Sequence, residues 1–91
     1  MQFDWDPNKA ALNEQWHQVS FDEACAAFDD DRAVVLVDDA HSWREQRFNL
    51  IGAAGQRLLF VVYTERKKGT VIRLISAREA EAEEREIYYA S

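Results

Sequence analysis

Ninety-one residues, 47% hydrophobic and 31% charged, predict one small globular domain and exclude a disordered chain, and no apolar run approaches the roughly 20 residues of a membrane span. A formal charge of −6 argues against a general nucleic-acid binder, and the lone Cys25 excludes an internal disulfide. The opening MQFDWD has no basic-then-apolar leader, so the expected compartment is the reducing cytosol.

Phe3 and Trp5 alternate with polar residues and predict a short first strand. Asp6-Pro7 then predicts a helix from Pro7 to about Trp16: Asp is a good N-cap, and proline at the first helical position loses no needed hydrogen bond. Ser20 and Glu23 have capping-box spacing, so a second helix is expected from Phe21 to about Phe28, with Cys25 as a small core residue. Asp29, Asp30 and Asp31 read as a turn. The run 33–37 (AVVLV) is β-branched and predicts a strand. Residues 46–52 alternate, with Phe48 and Leu50 on one face and Arg47, Asn49 and Ile51 on the other. Gly52 to Gly55 reads as a turn, and RLLFVVYT (57–64) as a central strand covered on both faces. A charged hairpin loop, 65–69, leads to a last strand, 70–76, with Val71, Arg73 and Ile75 opposite Ile72 and Leu74. Residues from Ala77 to about Tyr89 predict a helix in which Glu81 and Arg85 pair one turn apart. The order β-α-α-β-β-β-β-α makes an α+β fold: an antiparallel sheet with two N-terminal helices and a C-terminal helix.

The charge is unevenly spread. Residues 1–43 carry ten acids against Lys9 and Arg32, while residues 44–73 carry seven cations against Glu45 and Glu65. Field is local and screened within about 8–10 Å, so the basic segment can make an anion site inside an acidic chain. Arg47, Arg66 and Arg73 of this segment, with Arg78 just beyond it, are the main candidates; neighbouring strands bring such residues close, and the guanidinium fork suits phosphate oxygens. Arg78 is expected to open the last helix, whose free N–H groups favour anions. The competing reading pairs each arginine with a glutamate at 45, 65, 79 or 84.

His17 is read in the link between the first two helices, as a proton carrier or as a helix cap. His41 reads as an exposed loop residue. Trp5, Trp16 and Trp43 have faces on which bases can stack; Trp5 reads as core and Trp16 as the functional candidate beside His17. Tyr88 and Tyr89 offer one hydroxyl to a site and one ring to the core. No paired metal spacing, P-loop, GxGxxG or GxSxG occurs, so neither metal nor cofactor is expected.

FDWDPNKAALNEQWHQVSFDEA, REQRFNLIG, LLFVVYTER and the closing RLISAREAEAEER lie in the order and spacing of the BrnT toxins of type II toxin–antitoxin pairs, a family with a RelE-like fold. The chain resembles that family over nearly its whole length. The resemblance implies a metal-independent ribonuclease that cuts RNA through the 2′-hydroxyl and arrests growth. It implies a BrnA-type ribbon-helix-helix antitoxin as partner, in a hetero-oligomer that reaches DNA through the antitoxin. Residue by residue, His17 matches the histidine of the family's lysine–histidine motif, and Glu45 and Arg47 match its acid–base pair. Arg66 matches the arginine after the central strand, and Arg78 and Arg85 those of the closing motif. His17, Glu45, Arg47, Arg66, Arg78 and Tyr88 are thus the expected catalytic set, with Trp16, Lys67, Lys68, Arg73 and Arg85 on RNA. Trp16 stands where the family commonly has lysine, and Gln18 where it has a small or basic residue. That departure keeps a second reading open: a toxin-fold protein that binds its antitoxin without cleaving RNA.

Overall fold

The computed structural model describes residues 1–41 and 44–91. The elements are β1 (Gln2–Asp4), α1 (Pro7–His17), α2 (Phe21–Ala26) with a 3-10 turn (Ala27–Asp29), β2 (Val34–Val37), a second 3-10 turn (Asp39–His41), β3 (Arg47–Ala54), β4 (Arg57–Arg66), β5 (Val71–Glu79) and α3 (Ala82–Ala90). The fold is α+β, as expected. Five strands form one sheet in the order β1-β5-β4-β3-β2; β1 runs parallel to β5 and the other pairs are antiparallel.

Local chemistry sets the helix ends. Asp6 Oδ1 accepts from the Asn8 N–H at 2.8 Å, and Pro7 follows at the first position. Gln18 closes α1 in the left-handed region, so His17 lies in the last helical turn and not in a link. Ser20 Oγ caps α2 by accepting from the Glu23 N–H, but only half of the expected capping box forms, because the Glu23 carboxylate turns to Arg57.

Gly52 and Gly55 do different work. Gly52 continues β3 instead of opening a turn, because the 3-10 turn packs on it; a Cβ there would lie 2.7 Å from the Ala27 carbonyl oxygen. The turn is the tight pair Gly55-Gln56, with Gly55 at φ +62.

The two faces of the sheet are covered unequally. α1, α2 and the 3-10 turn pack on one face over Leu50, Leu59, Val61, Tyr63, Ile72 and Leu74, with Phe21 and Ala24 from α2 and Val19 from the link before it. Cys25 packs against this core, and burial pushes its thiol up from the ordinary range. Trp5 meets Phe21 edge to face at 5.8 Å, as a core reading requires. On the other face, Ile51, Leu58 and Tyr88 form a smaller cluster under α3. Among the described residues, α3 covers one end of that face, and no other helix packs there.

The last expected helix is the largest correction. β5 continues through Arg78 to Glu79, and α3 starts at Ala82. The reason is a bulge: Tyr63 pairs with Leu74 and Val62 with Ser76, leaving Ile75 as an extra residue on β5. Regular alternation puts Arg78 on the Leu74 face, in the core. The extra residue shifts the phase, so Ala77 joins the core and Arg78 turns to the open face opposite Phe60.

Asn13 holds this irregular segment. β1 pairs with β5 only over Val71 to Arg73, so Ala77 has no strand partner on that side. The Asn13 amide replaces one: its nitrogen donates to the Ala77 carbonyl at 2.8 Å and to Val19 at 3.0 Å, and its oxygen accepts from the Ala77 N–H at 3.0 Å. Asn13 is the buried residue of α1. Asn13→Leu leaves these three backbone groups unpaired, with an expected loss of about 3 kcal/mol or more at 1–3 kcal/mol per buried group. Urea unfolding of the variant against wild type measures it.

Candidate functional site

The open face carries a row of cations. In the strand register, Arg47 of β3 and Arg73 of β5 both pair with Thr64 of β4, which lies between them. At about 4.8 Å per strand, their Cα atoms stand roughly 10 Å apart. Thr64 is 2% exposed, and its hydroxyl donates to the Gln46 carbonyl at 2.6 Å, so the middle of the row is low and already satisfied. Arg66 lies two residues along β4, on the same face. Arg47, Arg66, Arg73 and Glu45 line one depression of about 90 Å³, together with Asp6 and Lys9 of the first helix and its cap.

This depression continues both ways through Ile75. One arm, of about 220 Å³, runs along α1 past Lys9, Leu12, Trp16 and His17. The other, of about 320 Å³, runs past Asn49, Val62, Ser76 and Phe60. Asn49 Oδ1 is buried there with no hydrogen-bond partner among the described residues. The bulge residue is common to all three hollows, which adjoin one another where α1 meets the sheet and together are called the groove. Trp16 is 73% exposed on its rim. Lys67 and Lys68, both with positive φ, form the β4–β5 hairpin tip beyond Arg66.

The chain matches the family model of the ribonuclease toxin BrnT of type II toxin–antitoxin systems over residues 5–84. It belongs to the BrnT family. Comparison with curated proteins returns no match. Family membership makes RNA the substrate class and an antitoxin the partner class. Among the described residues, no three His, Cys, Asp or Glu side chains gather as a metal site, and no helix is long and apolar enough to cross a membrane.

The arginines of this face are held very differently. Arg66 reaches Glu45 through one contact at 3.4 Å, and Arg73 reaches Asp4 at 3.3 Å. Single contacts to such exposed carboxylates contribute about 0–1 kcal/mol and exchange easily for another anion. Arg78 is locked. Its two terminal nitrogens donate to the two Glu84 oxygens at 2.8 Å each, and its guanidinium lies 4.4 Å over the Phe60 ring. Burial pushes the Glu84 carboxyl up, but the hydrogen bonds from Arg78 and from the Glu81 N–H outweigh it and hold it below its ordinary value. The register sets the Arg78 row four residues from the Arg47–Thr64–Arg73 row, roughly 14 Å along β4. The structure therefore brings Arg47, Arg66 and Arg73 together and sets Arg78 at the far end. Its pairing is the glutamate reading made real, and its position is not a helix N-terminus.

Tyr88 and Arg85 stand outside the groove. The Tyr88 hydroxyl donates to Asp30 Oδ2 at 2.6 Å, tying α3 to the turn before β2; that bond lowers the Asp30 carboxyl and raises the Tyr88 phenol. Arg85 lies over the Tyr89 ring at 5.8 Å, while Glu81 turns towards Arg78. Trp43 and the side chain of His41 lie outside the described residues. Sequence reasoning missed Lys9 and Asn13 as site residues. The signal was present: positions 9, 13, 16 and 17 share one helical face at i, i+4, i+7 and i+8.

Glu84→Gln removes the charge that answers a partly buried Arg78. The expected loss is about 1–3 kcal/mol at pH 7. A carboxyl held below its ordinary value contributes stability above that value and loses it as pH falls through the folded one. The wild-type advantage should therefore shrink below about pH 4.3, the ordinary glutamate value. Urea midpoints of both proteins from pH 7 to pH 3 check this.

Proposed function

We propose that the chain is a metal-independent endoribonuclease and the toxin of a pair with a BrnA-type antitoxin, acting in the cytoplasm as one domain over residues 1–91. The observation that carries the reading is the pair of adjoining hollows that share Lys9 and Ile75, one lined by Arg47, Arg66, Arg73 and Glu45 and the other by His17 and Trp16. The antitoxin, of the ribbon-helix-helix kind, would occlude this groove and bring the complex to DNA.

The chemistry follows from these groups. The RNA 2′-hydroxyl attacks the adjacent phosphorus and expels the 5′-oxygen, leaving a 2′,3′-cyclic phosphate and a 5′-hydroxyl. Charge builds on the non-bridging oxygens, where Arg47, Arg66 and Arg73 stabilise it. Glu45 and Asp4 release their arginines to the phosphate at small cost, because those contacts are single and exposed. Proton transfer falls to His17 or Glu45. Trp16 supplies a stacking face on the rim, and Lys67 and Lys68 extend the positive field along the strand. Lys9 answers the family lysine that is absent at Trp16, since it lines the hollows that hold His17 and the arginines. Arg78 joins the RNA at the far end only by exchanging Glu84. Tyr88 supports the site by holding α3, and Arg85 meets only RNA that passes beyond the groove.

A second reading keeps the antitoxin surface without cleavage. It is favoured by Trp16 at the lysine position and by the ion pairs of Arg66, Arg73 and Arg78.

Cellular RNA integrity and growth after induced expression separate the two. The proposal expects fragments ending in cyclic phosphate, cleavage that persists in EDTA with purified protein, and a loss of about 100-fold or more in Arg47→Ala and Arg73→Ala. Tyr88→Phe should keep cleavage per folded molecule. Intact RNA and normal growth with folded wild-type protein would establish the second reading, with Trp16→Lys as the variant that restores a cation.

A further inference from the structure

The outer strand β2 is chemically unlike a protected sheet edge. It pairs with β3 on one side and is the last strand of the sheet on the other. Natural edges are shielded by shortness, lysines, proline, bulges or a covering element, and β2, four residues long, has the first of these. Residues 34–37 (VVLV) contain no charge and no proline. Val35 is 51% exposed, Leu36 37% and Val37 54%. Val35 and Val37 oppose Leu50 and Phe48, on the helix-covered face, while Leu36 opposes Asn49 on the groove face. Aliphatic side chains thus stand exposed on both faces of a backbone edge that no strand of the described residues pairs with. Both ends are acidic. Asp29 and Asp31 are exposed before the strand and Asp39 after it; Arg32 stands among the first acids, and Arg47 of β3 lies beside Asp38 at the second end.

We propose that β2 is a docking edge for an extended polypeptide segment, aliphatic in its middle and basic at both ends, which adds to the sheet as a sixth strand. Main-chain hydrogen bonds along the edge supply affinity, and alternate side chains pack on Val35 and Val37 on one face and Leu36 on the other. The flanks select the partner. Two copies of β2 paired antiparallel would set Asp29 and Asp31 of each against Asp39 of the other, and like charges across an interface are penalised. Lysine or arginine at the ends of the incoming segment reverses that sign. The inference does not depend on RNA cleavage, since it uses no residue of the arginine row.

The test uses the full chain and the synthetic peptide Lys-Lys-Val-Thr-Val-Ile-Val-Lys-Lys. Binding is followed by fluorescence anisotropy and by amide hydrogen exchange. The expected result is saturable binding with slowed exchange at Val34 to Val37. Affinity should fall about tenfold or more when the lysines are replaced by glutamates, an electrostatic contribution on the scale of surface complementarity. Val35→Lys and Val37→Lys, at positions already half exposed, should abolish binding while the fold persists. No binding, equal binding of the glutamate peptide, or protection elsewhere would overturn the proposal. Self-association of the free protein that Val37→Lys removes would assign the edge to a second copy and overturn it equally.

Discussion

Asn13 grips Ala77 from both sides, donating to its carbonyl and accepting from its N–H, and so closes the edge of β5 where β1 no longer reaches. The site depends on this contact. It fixes the bulge at Ile75, and the bulge turns Arg78 out of the core and leaves Ile75 as the ridge shared by the three hollows. The same amide bonds the Val19 carbonyl, so the helix that carries Lys9, Trp16 and His17 is aligned with the strand that carries Arg73 and Arg78. A buried polar side chain serves here where an apolar one could not, since it replaces strand hydrogen bonds that the backbone must otherwise lose.

Cations beside a core need anions, and this protein supplies two kinds. Arg78 receives a partly buried, two-point partner in Glu84 and stacks on Phe60, so it behaves as part of the framework that seats α3. Arg66 and Arg73 receive single, exposed carboxylates. That difference separates structural from exchangeable charge: a phosphate competes easily for the second kind and poorly for the first. It also reconciles an overall charge of −6 with an RNA substrate. The acids at 29–31, 39 and 81–86 lie on other elements than the Arg47–Thr64–Arg73 row.

Much of this was legible in the chain. Asp6-Pro7, Ser20 and the β-branched runs mark element starts because their chemistry is local. The closing motif RLISARxAxxxER pointed to the family, and the family model agrees. What stayed hidden depends on contacts distant in sequence. Ala77 to Ala80 reads as helix from composition, yet pairing with β4 and the Asn13 clasp hold β5 extended through Glu79. Gly52 reads as turn until the Ala27 carbonyl is seen against it. Tyr88 and Arg85 fall at helical spacing near the closing motif, but their position follows from where α3 starts, and that is set by the bulge. Lys9 was visible only as a charge, because its value depends on which face of α1 Asn13 pins down.

The most direct measurement of the groove is a nuclear magnetic resonance titration of the chain with a short RNA carrying 2′-deoxy substitutions, which binds without being cut. The account predicts shifts concentrated at Lys9, His17, Arg47, Thr64, Arg73 and Ile75, weakening with salt as phosphate contacts do. Shifts confined to β2 and α3, or none at all with the fold intact, would contradict it.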